Sequence, residues 1–128
     1  WQIRDDLLTL RNSRDKKPNT FRLHWLLPDW EWSMESRHPG ITFRLLSPYG
    51  PVGLHIRVTD GLTASMRLVR AGGLVCESGR QDYSSLVETA ILGWFSPTYG
   101  VKVPALSLAV EVESASAVQF TSEFIFPR

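Results

Sequence analysis

Three histidines, His24, His38 and His55, are the natural candidates for metal ligation or proton transfer, and their spacing organises neither. No His-x-His or HExxH pattern joins them, so no single strand or helix presents two imidazoles to one ion. His24 and His55 fall on the polar parity of alternating runs and His38 falls in a turn, which predicts imidazoles on sheet faces or in solvent. One constellation stands apart. Asp5, Asp6 and His24 would offer two oxygens and a nitrogen to a zinc ion if the first two strands pair. The serines form no G-x-S-x-G elbow, and none adjoins a histidine. Paired carboxylates for glycoside hydrolysis would come from Glu31, Glu35, Glu111, Glu113 or Glu123, all at polar positions of strands where solvation is the ordinary state. Ala71-Gly72-Gly73 lacks the Lys-Ser/Thr of a phosphate loop and reads as a tight turn. Cys76, the only cysteine, excludes an internal disulfide and reads as a structural thiol. These patterns give no catalytic residue, metal site or cofactor.

Aromatic residues remain. Trp30 and Trp32 share a face after the Pro28-Asp29 break, with Trp25 on the preceding run. Indole rings at such positions either stack on sugar rings or pack in a core beside residues such as Phe21 and Leu23. Trp94 and Tyr99 lie in Gly93-Trp94-Phe95-Ser96-Pro97-Thr98-Tyr99-Gly100-Val101-Lys102-Val103-Pro104-Ala105. Two glycines, two prolines and large aromatics in so short a run describe a turn held down by its own side chains. Trp30, Trp32, Trp94 and Tyr99 are therefore the candidates for carbohydrate contact.

The elements that position them are strands, because the dominant period is two. Val52, Leu54, Ile56 and Val58 alternate with polar residues or glycine, and the parity returns in Leu62, Ala64, Met66 and Leu68. Asp60-Gly61 between the two runs predicts a hairpin pairing Val58 with Leu62, with Gly61 supplying positive φ. Leu106, Leu108, Val110 and Val112, then Val118, Phe120, Phe124 and Phe126, predict a second hairpin turning at residues 113–116. Further strands are expected over residues 21–27, 30–34 and 41–45, punctuated by His38-Pro39-Gly40 and Ser47-Pro48-Tyr49-Gly50-Pro51. In the first strand, residues 1–10, Asp5-Asp6 turns both faces acidic and calls for a bulge or an edge position. Residues 86–94 fit either a strand or a helix opened by the capping box Ser85-Leu86-Val87-Glu88; the β character of every neighbour favours the strand. About ten short strands with regular turn signals predict an all-β antiparallel sandwich, one domain over residues 1–128.

Composition sets the outer bounds. An apolar content of 43% describes a folded chain, and a net charge of +1 gives no bulk attraction for nucleic acid. The basic residues at positions 11–17 are interleaved with Asn12, Ser13 and Asp15, as in a solvated loop. No run approaches the ~18 apolar residues of a membrane span. The chain opens on Trp1 without an initiator Met, which reads as a piece of something longer.

Two motifs resemble a known family. Phe21-Arg22-Leu23-His24-Trp25-Leu26-Leu27-Pro28-Asp29 with Trp30-Glu31-Trp32, and Gly93-Trp94-Phe95-Ser96-Pro97-Thr98-Tyr99-Gly100 with Val103-Pro104-Ala105, are similar to the C-terminal β-rich domain of heparinase II/III-like proteins. The opening Trp1-x-Ile3-x-Asp5-Asp6-Leu7-Leu8 resembles the strand before the first of these motifs, and the closing Phe120-Thr121-Ser122-Glu123-Phe124-Ile125-Phe126-Pro127 resembles that domain's last strand. The resemblance implies a polysaccharide lyase that cleaves uronate-containing chains by β-elimination, with its base and acid in an α-helical toroid upstream of the sandwich. It implies that the 128 residues are not an enzyme by themselves, that their partner is the catalytic domain of the same polypeptide, and that acidic polysaccharide lies nearby. A periplasmic or secreted location follows for a typical member. A stand-alone carbohydrate-binding sandwich using Trp30 and Trp32 is the alternative.

Overall fold

The computed structural model describes residues 1–8, 17–37, 40–79 and 89–128. The basic loop at residues 11–16, the His38-Pro39 turn and the capping box at residues 85–88 lie outside them. The described residues form β1 (Gln2–Leu7), β2 (Asn19–Leu27), β3 (Glu31–Arg37), β4 (Gly40–Ser47), β5 (Gly50–Val58), β6 (Ala64–Arg70), β7 (Gly73–Ser78), β8 (Trp94–Phe95), β9 (Val103–Pro104), β10 (Leu106–Ser114) and β11 (Val118–Ile125). The chain is all-β with antiparallel sheets, as its period-two alternation predicts. None of the described helical segments is long and apolar enough to cross a membrane.

Two compact units are formed, one from Trp1–Phe21, Trp30–Thr63 and Val112–Arg128, the other from Arg22–Asp29 and Ala64–Glu111. The first holds a five-stranded sheet in the order β1-β11-β5-β4-β3, every neighbour antiparallel. Its β3-β4-β5 meander follows the turn signals closely. Ser47 closes the second corner by donating its hydroxyl to the Gly50 carbonyl at 2.6 Å and accepting the Tyr49 N–H at 3.1 Å. Ile41, Phe43, Leu45, Leu54, Ile56 and Phe120 fill the buried face, all at the apolar parity read from sequence. β1 is an edge strand, which is how Asp5-Asp6 is accommodated. Its register runs unbroken from Gln2↔Glu123 to Leu7↔Val118, and Gln119 donates its amide to Asp6 at 2.6 Å.

The second unit holds most of β2 and β10 with β6 and β7, in a four-stranded sheet ordered β2-β10-β6-β7, and the two-stranded β8-β9 ribbon. β6 and β7 are joined by Ala71-Gly72, whose φ values of 48° and 80° give the doubly left-handed turn that suits a tight hairpin. β7 has no counterpart among the expected strands, because Leu74, Val75 and Cys76 do not alternate. Cys76 is half-buried there.

Three expectations are corrected. Val58 pairs with Phe120 rather than Leu62, so β5 and β6 belong to different sheets and residues 59–62 form a connection between sheets. The Leu62 N–H reaches the Thr59 carbonyl at 3.3 Å and Gly61 does adopt φ 83°, so the turn exists without its hairpin. β10 and β11 likewise lie in different sheets, joined by a corner in which Ser114 Oγ accepts the Ser116 N–H at 3.1 Å. Same-parity alternation keeps a chain's apolar side chains on the buried side whether it folds back within a sheet or crosses to another, so period alone does not choose between them. Finally, the strand favoured over residues 86–94 is absent from residues 89–93, which turn through a Leu92 N–H to Thr89 carbonyl bond of 2.9 Å. Among the described residues of that run, only Trp94 enters a strand.

Candidate functional site

The expected contact residues sit in two different settings. Trp32, on edge strand β3, is half-buried and stacks on fully buried Phe43, with ring centroids 5.4 Å apart and planes 11° from parallel. That ring contributes to the first unit's core, and Trp30, just before β3, is also half-buried. Phe43 therefore covers one face of the Trp32 ring, while Trp32 also lines a shallow surface hollow with Arg44, Leu46 and Pro51.

The turn at residues 93–105 is different. Trp94 pairs with Pro104 and Phe95 with Val103, making a minimal ribbon. Its base is closed by an Ala105 N–H to Gly93 carbonyl bond of 2.9 Å, and its tip by the Ser96 hydroxyl, 2.9 Å from the Thr98 carbonyl and 2.8 Å from that of Val101. Trp94 donates its indole N–H to the Ala90 carbonyl at 3.2 Å, and the Lys102 ammonium lies 3.9 Å from the ring centroid. Gly93 and Leu92 tie the base to the β6-β7 turn, accepting N–H groups from Ala71 and Gly72 at 2.8 and 2.9 Å. The expectation of a turn held by its own side chains describes this element. What it holds out is apolar: Tyr99 is completely exposed, and Phe95, Val101 and Val103 are exposed around it.

A second place escaped the sequence reading. On the four-stranded sheet, His24 of β2 and Ser107 of β10 meet with Nε2 and Oγ 2.6 Å apart. They line a cavity of about 230 Å³ together with Arg22, Arg67, Glu111 and Leu92. Arg22 donates Nε to Glu111 Oε1 at 2.5 Å. Burial, reinforced by the Arg22 charge, holds the His24 imidazole below its usual pKa and so favours its neutral form. A neutral imidazole on a serine hydroxyl is half of a nucleophilic pair, but no carboxylate orients its other nitrogen among the described residues and Ser107 lies within a strand. The sequence signal was parity alone: both residues occupy the polar positions of their strands, 83 residues apart.

The remaining candidates disperse. β1 and β2 lie in different sheets, so the pairing that would unite Asp5 and Asp6 with His24 does not form. Glu31, Glu35, Glu113 and Glu123 are exposed, while Glu111 is half-buried in its pair with Arg22. His55 accepts from or donates to Thr42 Oγ1 at 3.0 Å across β4 and β5. No family model, curated protein or solved structure matches the chain.

Proposed function

We propose that this chain is the non-catalytic β-sheet domain of a heparinase II/III-like polysaccharide lyase, supporting a catalytic helical toroid carried elsewhere on the same polypeptide. Its β8-β9 ribbon contacts the uronate-bearing polysaccharide. The observation that carries this reading is the braced ribbon: hydrogen bonds at its base and tip make it stiff, and it holds Tyr99 and Phe95 outward. An exposed amphipathic ring on a rigid support meets a sugar face at little cost in side-chain entropy, and Lys102, over the Trp94 ring of the same ribbon, supplies a cation for carboxylate groups. The motif resemblance covers these same residues. The half-buried, core-stacked placement of Trp32 gives the stand-alone module no comparable support.

Alginate or heparin oligosaccharide titrated into the protein should quench or shift Trp94 fluorescence. Tyr99→Ala should weaken the interaction about three- to tenfold, the worth of one aromatic contact, with an unchanged melting temperature because the ring is fully exposed. Absorbance of unsaturated uronate should stay flat throughout. A Tyr99→Ala protein that binds as wild type would remove the ribbon from the interface, and appearance of unsaturated product would overturn the non-catalytic assignment.

A further inference from the structure

The cavity over β2, β10 and β6 has features that a solvated sheet face does not produce. Ser107 and Val69 stand at the positions pointing away from the buried side of their strands, yet they are only 2% and 1% exposed. Leu92, held by its carbonyl to the Gly72 N–H, forms part of the wall that covers them. The hollow brings unlike chemistries together, with Arg22 and His24 at its exposed rim. The Arg67 side chain is 17% exposed, and its one ion pair among the described residues, to Glu77, spans 3.6 Å. That is longer than a charge-assisted hydrogen bond, so the planar fork retains donors for a bidentate carboxylate. Across the cavity, Glu111 contributes an acceptor, Arg22 donors, and the His24–Ser107 pair both.

From this arrangement we infer that the cavity binds a small polyhydroxylated carboxylate, the size of one sugar acid, with its carboxylate on Arg67 and its hydroxyls among Glu111, Arg22, His24 and Ser107. A bare inorganic anion fits less well, since most of the donor-acceptor set would be unused. A neutral sugar fits less well, since it leaves the Arg67 fork without its anion. Ala109, Leu92 and Val69 give an apolar wall for the ring's C–H face. At about 230 Å³ the cavity lies below the roughly 300–1,000 Å³ of sites for drug-sized ligands, which matches one monosaccharide and not an oligomer. None of the exposed ribbon residues lines it, so this site stands or falls independently of polysaccharide contact at Tyr99.

The test is an NMR titration of the 128-residue protein with glucuronate, following the Leu92 and Ala109 methyls and the His24 ring. Saturable shifts at these groups are expected, with glucose and with sulfate each binding at least about tenfold more weakly, the worth of one charge-assisted hydrogen bond. Arg67→Gln should bring glucuronate down to the level of glucose. Ala109→Leu, which narrows the cavity and leaves every charge in place, should abolish the shifts while core methyl resonances stay put. Sulfate or glucose binding as tightly as glucuronate, shifts confined to other residues, or undiminished binding by a folded Ala109→Leu protein would each overturn the assignment.

Discussion

His24 shows how much of a residue's role is decided by what faces it. Its neighbours are Arg22 on its own strand, Ser107 and Glu111 on β10 and Arg67 on β6, and burial with the Arg22 charge disfavours its protonated form. Because the folded pKa lies below that of the unfolded chain, the unfolded state binds more protons between the two values. The stability contributed by neutral His24 is therefore present above the unfolded pKa of about 6.5 and is lost as pH falls through it towards the folded value. Urea denaturation of wild type should show a decline from pH 7.5 to pH 5.5, and His24→Gln should flatten it. An equal decline in both proteins would mean that another group titrates. Asp29 works in the same direction at lower pH: its hydrogen bond from Arg70, at 2.6 Å, holds the carboxyl below its usual pKa, and that contribution goes as pH falls through the folded value. None of the cavity was legible as a motif. Strand order sets β2, β10 and β6 side by side and so brings His24, the Ser107 and Glu111 of one strand, and Arg67 together, although the three segments lie far apart in the sequence.

At the scale of elements, alternation told which residues face inward and turn chemistry told where the chain bends. Neither told which strands pair. The Asp60-Gly61 and residue 113–116 turns are where they were expected, and both carry the chain from one sheet to another. The 93–105 turn was readable in more depth because its interactions are local: Ser96, Thr98 and Val101 bind one another within a few residues. Its attachment was not readable, since Gly93 docks on β6. A Cβ at Gly93 would lie 2.7 Å from both the Ala71 nitrogen and the Val69 carbonyl oxygen, on a backbone with φ 73°. Gly61 has a similar φ of 83°, with nothing within 4 Å of the added atom. Gly61→Ala should thus cost only the left-handed strain, about 1 kcal/mol, whereas Gly93→Ala adds a backbone collision and should cost about 3 kcal/mol or more by chemical denaturation. Equal losses would show that residue 93 can move away from β6 freely.

The whole molecule is organised by pairings that sequence distance hides. β1 and β11 come from opposite ends of the chain, yet Gln2 faces Glu123 and the ladder continues to Leu7↔Val118. The Trp1 amino group and carbonyl hold Phe124 at 2.9 and 2.7 Å, and the Trp1 and Phe124 rings lie 5.6 Å apart. Such non-local pairing is intrinsically slow, because the entropy of closing the loop is lost before the ladder offsets it. β1 itself is short, carries Arg4, Asp5 and Asp6, and makes a poor template for further pairing. β11 beneath it carries Val118, Phe120, Phe124 and Ile125 and would make a good one. The two acids that looked like a fault in the alternation therefore have a use at this scale, as a charged border on the sheet. Deleting residues 1–7 should uncover the β11 edge, giving a lower melting temperature and light scattering that grows with protein concentration. Neutralising the border alone, with Asp5→Thr and Asp6→Thr together, should leave the melting temperature close to wild type yet promote the same concentration-dependent association. A truncated protein that stays monomeric at high concentration would show that β11 is protected by something other than β1.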